Sequence, residues 1–514
     1  LYEIFSYLPD NGEPFFYVTR KRSTGHITLA ALAVTCRTFR EPALALRWRQ
    51  LWSVSSLVPL FPRDIWRKYN PTGFHLEFAR SPSEEEWTRF ESYTSLIREI
   101  PISDTFAGTA DLMATLSRKY NASPSQQLFP NLRVLKWHHD GGTEPSYAHL
   151  FFPPSLRCLQ VTLKLGAPED REVPRLLSLL DHQCPMLTRL SINGIVFDED
   201  NVTILRVLVS RACQRLEYLK CDEVDESTLN YLAKLATLKD LSVYLPDSIF
   251  ANAVFSKGFV NLQTLSLTMD GISTVIAFLS STQLSLKSIK IEIASRPQPR
   301  LLASLKQLFA RLSTSLSHTH LTRIHLMLGD SRAPEGIQDV AVLRPLLLFS
   351  ELRYVYIGGL CSFNLDDDVL AEFANAWSHL EELTLNRFAE ASEVTFKGLK
   401  SLIRACPLLQ ALTLAIHAVQ LDCGSPTTPP AGGDSDTHND KIETLDLGDS
   451  AVGDPPTVAR ILGELFRSLR KVVVYPRDAL HAQLWGEVNF HLFTAAQARE
   501  REIDQLGDNG GSTT

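Results

Sequence analysis

Thiols, imidazoles and clustered carboxylates are the groups in this sequence that could hold a metal or attack a substrate. The eight cysteines are Cys36, Cys158, Cys184, Cys213, Cys221, Cys361, Cys406 and Cys423. No two are spaced as Cys-x-x-Cys, and none has a histidine at zinc-finger spacing, so no thiolate metal site is expected. Eight in 514 residues is too sparse for a disulfide scaffold, and buried reduced thiols are expected. His138 and His139 are adjacent, and adjacent strand residues face opposite ways, so they do not form a ligand pair. Asp366-Asp-Asp368 and Ser83-Glu-Glu-Glu86 each precede an apolar helical run. Both read as acidic helix starts, the second as a capping box, because carboxylates are favoured at helix N-termini. Cys36 sits on an apolar stripe and reads as a core thiol. No phosphate-binding glycine loop, His-Glu-x-x-His or Gly-x-Ser-x-Gly occurs. The chain is therefore expected to be no enzyme, with no catalytic residues, metal or cofactor.

Bulk composition narrows the classes further. The 44% hydrophobic and 21% charged residues are those of an ordinary globular protein. The 51 basic and 58 acidic residues give a net charge of −7, which weighs against nucleic-acid binding. No apolar run reaches the roughly 18 residues of a membrane span, and no basic-then-apolar leader opens the chain. The chain begins at Leu1 rather than Met, so an upstream segment is expected.

The elements that must position any functional side chain come from a repeat. Leu-x-x-Leu-x-Leu, with Ile or Val admitted, begins at Leu132, Leu156, Leu187, Leu216, Leu238, Leu262 and Leu286. It recurs at Leu321, Leu352, Leu380, Leu409, Ile442 and Leu469. Thirteen copies with a mean period of about 28 residues are the signature of leucine-rich repeats. In the last half of each motif the apolar residues alternate, so they line one face of a short strand. One strand cannot cover that face alone. Stacked repeats can, which predicts an α/β solenoid with parallel strands on the concave side and helices on the convex side. Replacing one of these leucines by Ala should cost about 2–5 kcal/mol.

Helical periodicity fills the intervals. It appears over 201–213, at Leu229, Leu232 and Leu235, and at Leu370, Phe373 and Trp377. It returns at Leu399, Leu402 and Ile403, and at Val458, Ile461, Leu462 and Leu465. Cys184, Cys213 and Cys406 stand three residues before a motif's first Leu, two of them followed by Pro. The Pro stops the helix and feeds the strand. This helix–Cys-Pro-x-Leu element resembles the cysteine-containing leucine-rich repeats common in F-box proteins.

The first 51 residues read differently. Leu1, Ile4, Phe5 and Leu8 form one helical stripe, 9–22 is a polar turn-rich insertion, and Leu29, Leu32, Ala33, Cys36 and Phe39 form a second stripe that Pro42 is expected to end. A third helix contains Trp48. Leu1-Tyr-Glu-Ile-Phe-Ser-Tyr-Leu8 resembles the first helix of an F-box. Val34-Thr-Cys-Arg-Thr-Phe39 resembles its second signature, and Leu46-Arg-Trp-Arg-Gln-Leu51 its closing helix. Residues 30–51 are similar to the F-box of many fungal leucine-rich F-box proteins. The Leu-Pro-x-Glu opening of that motif is absent and expected upstream, and the insertion at 9–26 exceeds the usual inter-helix turn. The expected organisation is an F-box-like module (1–51), a linker or cap (52–125), a repeat solenoid (126–480, with a flexible loop at 422–440) and a C-terminal cap and tail (481–514).

The resemblance implies the substrate receptor of an SCF-type E3 ubiquitin ligase in the cytoplasm, the nucleus or both. Its partners would be a Skp-type adaptor, cullin through that adaptor, and a target protein, with no nucleic acid and no membrane. The adaptor role would fall on Leu1, Ile4, Phe5, Leu8, Leu29, Leu32, Cys36, Phe39 and Trp48. The target would meet the outward positions of the strands, where aromatics and Arg are the usual anchors. Those are Arg323, His325, Met327, Tyr354 and Tyr356, and separately Tyr218, Lys220 and Tyr244 with Asp240. Two other readings stay open. One is an interaction scaffold with a degenerate F-box. The other is a secreted repeat receptor carrying disulfides and glycans at Asn121 or Asn201.

Overall fold

The structure, a computed structural model, describes residues 24–68, 76–103, 110–121, 126–139, 147, 150–163, 180, 182–194, 215–245, 258–293, 301–329, 337–359, 362–385, 387, 392–419, 437–476 and 478–509. The chain divides into two compact units, Leu1–Leu238 and Lys239–Thr514. Each is a run of leucine-rich repeats built on a parallel sheet.

The first unit begins with helices Thr24–Thr35 and Arg37–Arg47. A short antiparallel pair follows, β1 (Trp66–Lys68) and β2 (Leu76–Phe78). Its parallel sheet runs β3 (Glu99–Ser103), β4 (Val134–His139), β5 (Cys158–Leu163), β6 (Arg189–Asn193) and β7 (Tyr218–Glu223). The second unit carries β8 (Asp240–Leu245), β9 (Thr264–Met269), β10 (Ser288–Ile293), β11 (Arg323–Leu328), β13 (Tyr354–Gly359), β15 (Glu382–Thr384), β16 (Ala411–Thr413), β17 (Thr444–Asp446) and β18 (Lys471–Val473) in sheet order. The short β12 (Ile337–Gln338) and β14 (Ser362–Phe363) pair separately.

All thirteen predicted motifs fall on strands of these sheets. Their alternation sets which way each side chain points: β8, β9, β10 and β13 bury every second residue. Leu265, Leu267, Ile289 and Ile291 are fully buried. The leading leucine of a repeat donates its N–H to the carbonyl three residues earlier. Phe129, Pro153, Cys184, Phe259, Trp377, Cys406 and Phe466 all accept such a bond. This turn recurs whatever side chain fills the slot. Where the slot holds Cys, the thiol is fully buried and donates to a carbonyl of the preceding repeat, Cys184 to Pro153 and Cys406 to Ala374 or Trp377. Burial pushes both thiols up to about 12. Cys213 and the helix expected over 201–213 lie outside the described residues.

The region expected to be a linker or cap supplies a further repeat. Ile97, Ile100 and Ile102 are buried and carry β3, a motif written entirely in isoleucine. Ahead of it, helix Glu84–Thr94 starts on the expected capping box of Ser83 and Glu86. Arg80 bridges Glu86 and Asp64 and holds the Glu86 carboxyl down to about 2. Phe61, Trp87 and Phe90 fill the space beneath, with Phe61 stacked on Phe90 at 4.7 Å. The chain leaving the N-terminal helices joins the same sheet. Arg49 accepts from the N–H groups of Arg98 and Glu99, and Leu51 donates to Glu99. This pairing covers the exposed edge of β3.

In the second unit, helix Ala479–Asn509 closes the β18 edge through buried Trp485, Val488 and Leu492. The Asn489 side chain accepts from Val472 N–H at 2.8 Å and donates to Val472 C=O at 2.9 Å. One amide thus imitates the strand that would come next.

Two expectations need correction. The helix break falls at Cys36, whose backbone is extended, and Pro42 lies inside helix Arg37–Arg47. The N–H that Pro42 lacks would have met the carbonyl of exposed Thr38, which water can satisfy. Cys36 is consequently exposed and is not a core thiol. Most of the loop expected at 422–440 lies outside the described residues, but Asn439 is buried. It is bonded to Leu409 C=O and to the N–H groups of Lys441 and Ile442.

Candidate protein-interaction surfaces

Helix Thr24–Thr35 is apolar on both sides. One side packs inward: Leu29 is fully buried with Ala43 and Leu46, and Leu32, Ala33 and Phe39 lie against them. The other side is bare. Ile27 is 55% exposed and Val34 86% exposed, and Ala30 and Ala31 between them are exposed too. Positions i, i+3, i+4 and i+7 share one helix face, so these four residues form a continuous apolar stripe. Trp52 is exposed nearby and meets His26 edge-on at 6.0 Å.

The residues expected to contact an adaptor therefore separate. Leu1, Ile4, Phe5 and Leu8 lie outside the described residues. Leu29, Leu32 and Phe39 hold the two helices together. Trp48 packs on Tyr93 with ring centres 5.1 Å apart, and Cys36 is exposed. The outward stripe of Ile27, Ala30, Ala31 and Val34 was not anticipated. Leu29 and Leu32 are the larger residues, and a helix apolar all round gives periodicity no preferred face.

In the second unit the expected cluster is brought together. Arg323 and Tyr354 occupy directly opposed positions on β11 and β13, as do His325 and Tyr356. The Arg323 guanidinium lies 4.1 Å from the Tyr354 ring centre. The His325 and Tyr356 rings stack 4.1 Å apart at 6°. Met327 follows on β11, opposite Gly358. A Cβ on Gly358 would stand 3.0 Å from Tyr356 Cε1 and Oη, so Tyr356 leans along its own strand toward Gly358, and a side chain there would press on its ring.

Neighbouring charges are already paired. Tyr354 donates its hydroxyl to Glu381 at 2.6 Å, and Arg353 donates to the other oxygen at 2.9 Å. These bonds raise the Tyr354 hydroxyl and lower the Glu381 carboxyl. Lys290 pairs with Glu292 at 2.9 Å on β10. His325 is held below its ordinary value, first by burial and then by Lys290.

Tyr218 and Lys220 belong to the first unit, Asp240 and Tyr244 to the second. Tyr218 carries Arg189 over its ring at 4.4 Å, and Arg189 is its register partner on β6. Lys220 is exposed on the same strand. Tyr244 donates to Asp270 at 2.7 Å. Arg189, Glu381, Gly358 and Asp270 were not anticipated. Aligning the repeats on their leading leucine would have found the first, because Arg189 and Arg323 share one position and Tyr218 and Tyr354 share it in the next repeat. Near the far end, Arg387 lies over Tyr475 at 4.2 Å with Asp446 at 3.5 Å.

No group of three or more His, Cys, Asp or Glu able to hold a metal occurs among the described residues. Among them, too, no helix is long and apolar enough to cross a membrane.

No family model matches the chain, and no curated protein matches it. Among solved structures it is similar to the Rad7 and Elc1 complex of yeast, at 16% identity over 72% of this chain and 85% of that one, with a TM-score of 0.40. It is also similar to the leucine-rich-repeat ectodomain of the plant membrane receptor kinase GASSHO1/SCHENGEN3 from Arabidopsis thaliana, crystallised with CASPARIAN STRIP INTEGRITY FACTOR 2. There the identity is 10% over 76% of this chain and 51% of that one, with a TM-score of 0.31. The class of protein that the fold defines is a leucine-rich-repeat protein.

Proposed function

We propose that the chain is the substrate receptor of an SCF-type ubiquitin ligase, working in the cytoplasm or nucleus without chemistry of its own. The observation that supports this reading is the bare apolar stripe of Ile27, Ala30, Ala31 and Val34 on a small helical module that precedes the repeats. The same stretch carries the F-box resemblance. An apolar stripe of this kind is what a Skp-type adaptor would cover, and cullin would follow through the adaptor. The module's exit is hydrogen-bonded to β3, so a bound adaptor would be held firmly to the first unit. The Arg323, Tyr354, His325 and Tyr356 face would hold the target. The contribution to rate is then proximity between target and conjugating enzyme.

The test is affinity purification of the tagged full-length chain from cells of its source. Recovery of a Skp-type adaptor with cullin is expected, together with its loss in Ile27→Asp/Val34→Asp. Recovery of other proteins through the repeats, with no adaptor, would favour an interaction scaffold instead.

A further inference from the structure

We infer that the β11–β13 face receives an extended, carboxylate-bearing peptide segment, with an acidic side chain seated on Arg323. This rests on the reading of that face as the target site and adds the chemistry of what binds.

Charge accounting supports it. Lys290 is paired with Glu292, Arg353 with Glu381, and Arg387 with Asp446. Arg323 makes no side-chain hydrogen bond or ion pair to another described residue, and its guanidinium lies over the Tyr354 ring. Of the nearby carboxylates, Glu381 already accepts from Tyr354 and Arg353, and Glu382, the register partner of Tyr354 on β15, lies one strand beyond the ring. Arg323 is nonetheless held in place, because stacking on a ring fixes the planar fork while leaving its N–H edge available. A guanidinium presented this way is suited to bidentate binding of a carboxylate, and little side-chain freedom remains to be lost on binding.

The neighbouring pair extends the argument. His325 and Tyr356 cover one face of each other's rings and have no side-chain hydrogen bond to another described residue. What they offer a ligand is edge donors, an imidazole N–H and a phenol O–H. Arg323, His325 and Met327 are alternate residues of one strand, so they repeat at the spacing of alternate residues in an extended peptide. A peptide running along β11 would place an acid on Arg323, an acceptor at His325 and Tyr356, and an apolar side chain at Met327. Gly358 is a positioning residue, since a Cβ there would press on the Tyr356 ring and shift it within the stack.

The test uses the full-length chain and a fluorescein-labelled decapeptide of alternating glutamate and serine, followed by fluorescence anisotropy. Matched peptides carry glutamine or lysine in place of glutamate, and a further one carries phosphoserine. The glutamate peptide is expected to bind at least about tenfold more tightly than the glutamine peptide, with affinity falling as salt rises. Arg323→Ala should abolish that preference, Arg323→Lys should restore only part of it, and Gly358→Ala should weaken binding with both stacked rings still present. Equal binding of the glutamate and glutamine peptides, an unchanged preference in Arg323→Ala, binding of the phosphoserine peptide alone, or no binding of any peptide would each overturn the inference. Adaptor recovery by the same preparation tests the ligase reading separately, so the two can fail independently. Thermal melting of each variant excludes misfolding as the cause.

Discussion

Arg323 on β11 lies over the ring of Tyr354, its register partner on β13, at 4.1 Å. Arg189 and Tyr218 repeat the arrangement in the first unit at 4.4 Å. A parallel sheet with one strand per repeat places the same motif position of successive repeats side by side, so any two side chains at that position become neighbours. Arg323 is exposed and Tyr354 half-buried, and near a protein surface a cation over a ring contributes roughly 0.5–1 kcal/mol. A double-mutant cycle of Arg323→Ala and Tyr354→Leu, read by urea unfolding, should give a coupling of that size. Additive effects of the two substitutions would show that the contact contributes nothing to stability.

His325 should titrate below its ordinary value near 6.5, because burial against Tyr356 and the charge of Lys290 both disfavour the imidazolium. A histidine whose folded-state value is lowered stabilises the fold fully above its unfolded value, and that contribution is lost as pH falls from there through the folded-state value. NMR of histidine-labelled protein, assigned with His325→Gln, should show the low midpoint. Lys290→Gln should move it upward. A midpoint at or above 6.5 would show that neither effect operates.

The thiols should divide by reactivity. Cys36 is exposed, whereas Cys184, Cys221 and Cys406 are buried, and desolvation raises all three. The thiolate is the reactive form, so iodoacetamide with peptide mapping should label Cys36 in the native protein and the other three only after unfolding. Rapid native labelling of Cys184 or Cys406 would contradict their place in the turn before the strand.

Asn489 should matter more than its position on a helix suggests. Asn489→Ala removes both partners of Val472 on the outermost strand, and each unsatisfied buried backbone group costs about 1–3 kcal/mol. A loss of about 2–6 kcal/mol is expected in equilibrium unfolding of the full chain, and Asn489→Gln should recover only part of it, because the extra methylene displaces the amide from the two groups of Val472. An unchanged stability would show that water caps the edge equally well.

The repeats were legible because their signal is redundant: leucine at fixed spacing recurs thirteen times, and each copy reports on the same core. The first strand fits the motif with isoleucine at all three positions, Ile97, Ile100 and Ile102, but its lead residue reads equally as the end of the preceding helical stripe of Trp87, Phe90 and Tyr93. The outward positions were legible in part. Alternation shows that Arg323, His325, Tyr354 and Tyr356 face away from the core, and register then brings them together. Gly358 could not be read, since its role lies in the side chain it leaves room for. The N-terminal module was least legible. Helix Thr24–Thr35 has apolar residues all round, so only packing decides that Leu29 turns inward and Val34 outward.

The central claim is adaptor binding through that outward stripe, and isothermal titration of the purified full-length chain with a purified Skp-type adaptor tests it most directly. The wild-type chain should bind with a Kd below about 1 µM. Val34→Asp, at an exposed position where the fold should be undisturbed, should weaken binding at least about tenfold, or about 1.4 kcal/mol. No heat of binding from the folded wild-type chain, or equal affinity in Val34→Asp and Ile27→Asp, would contradict the account.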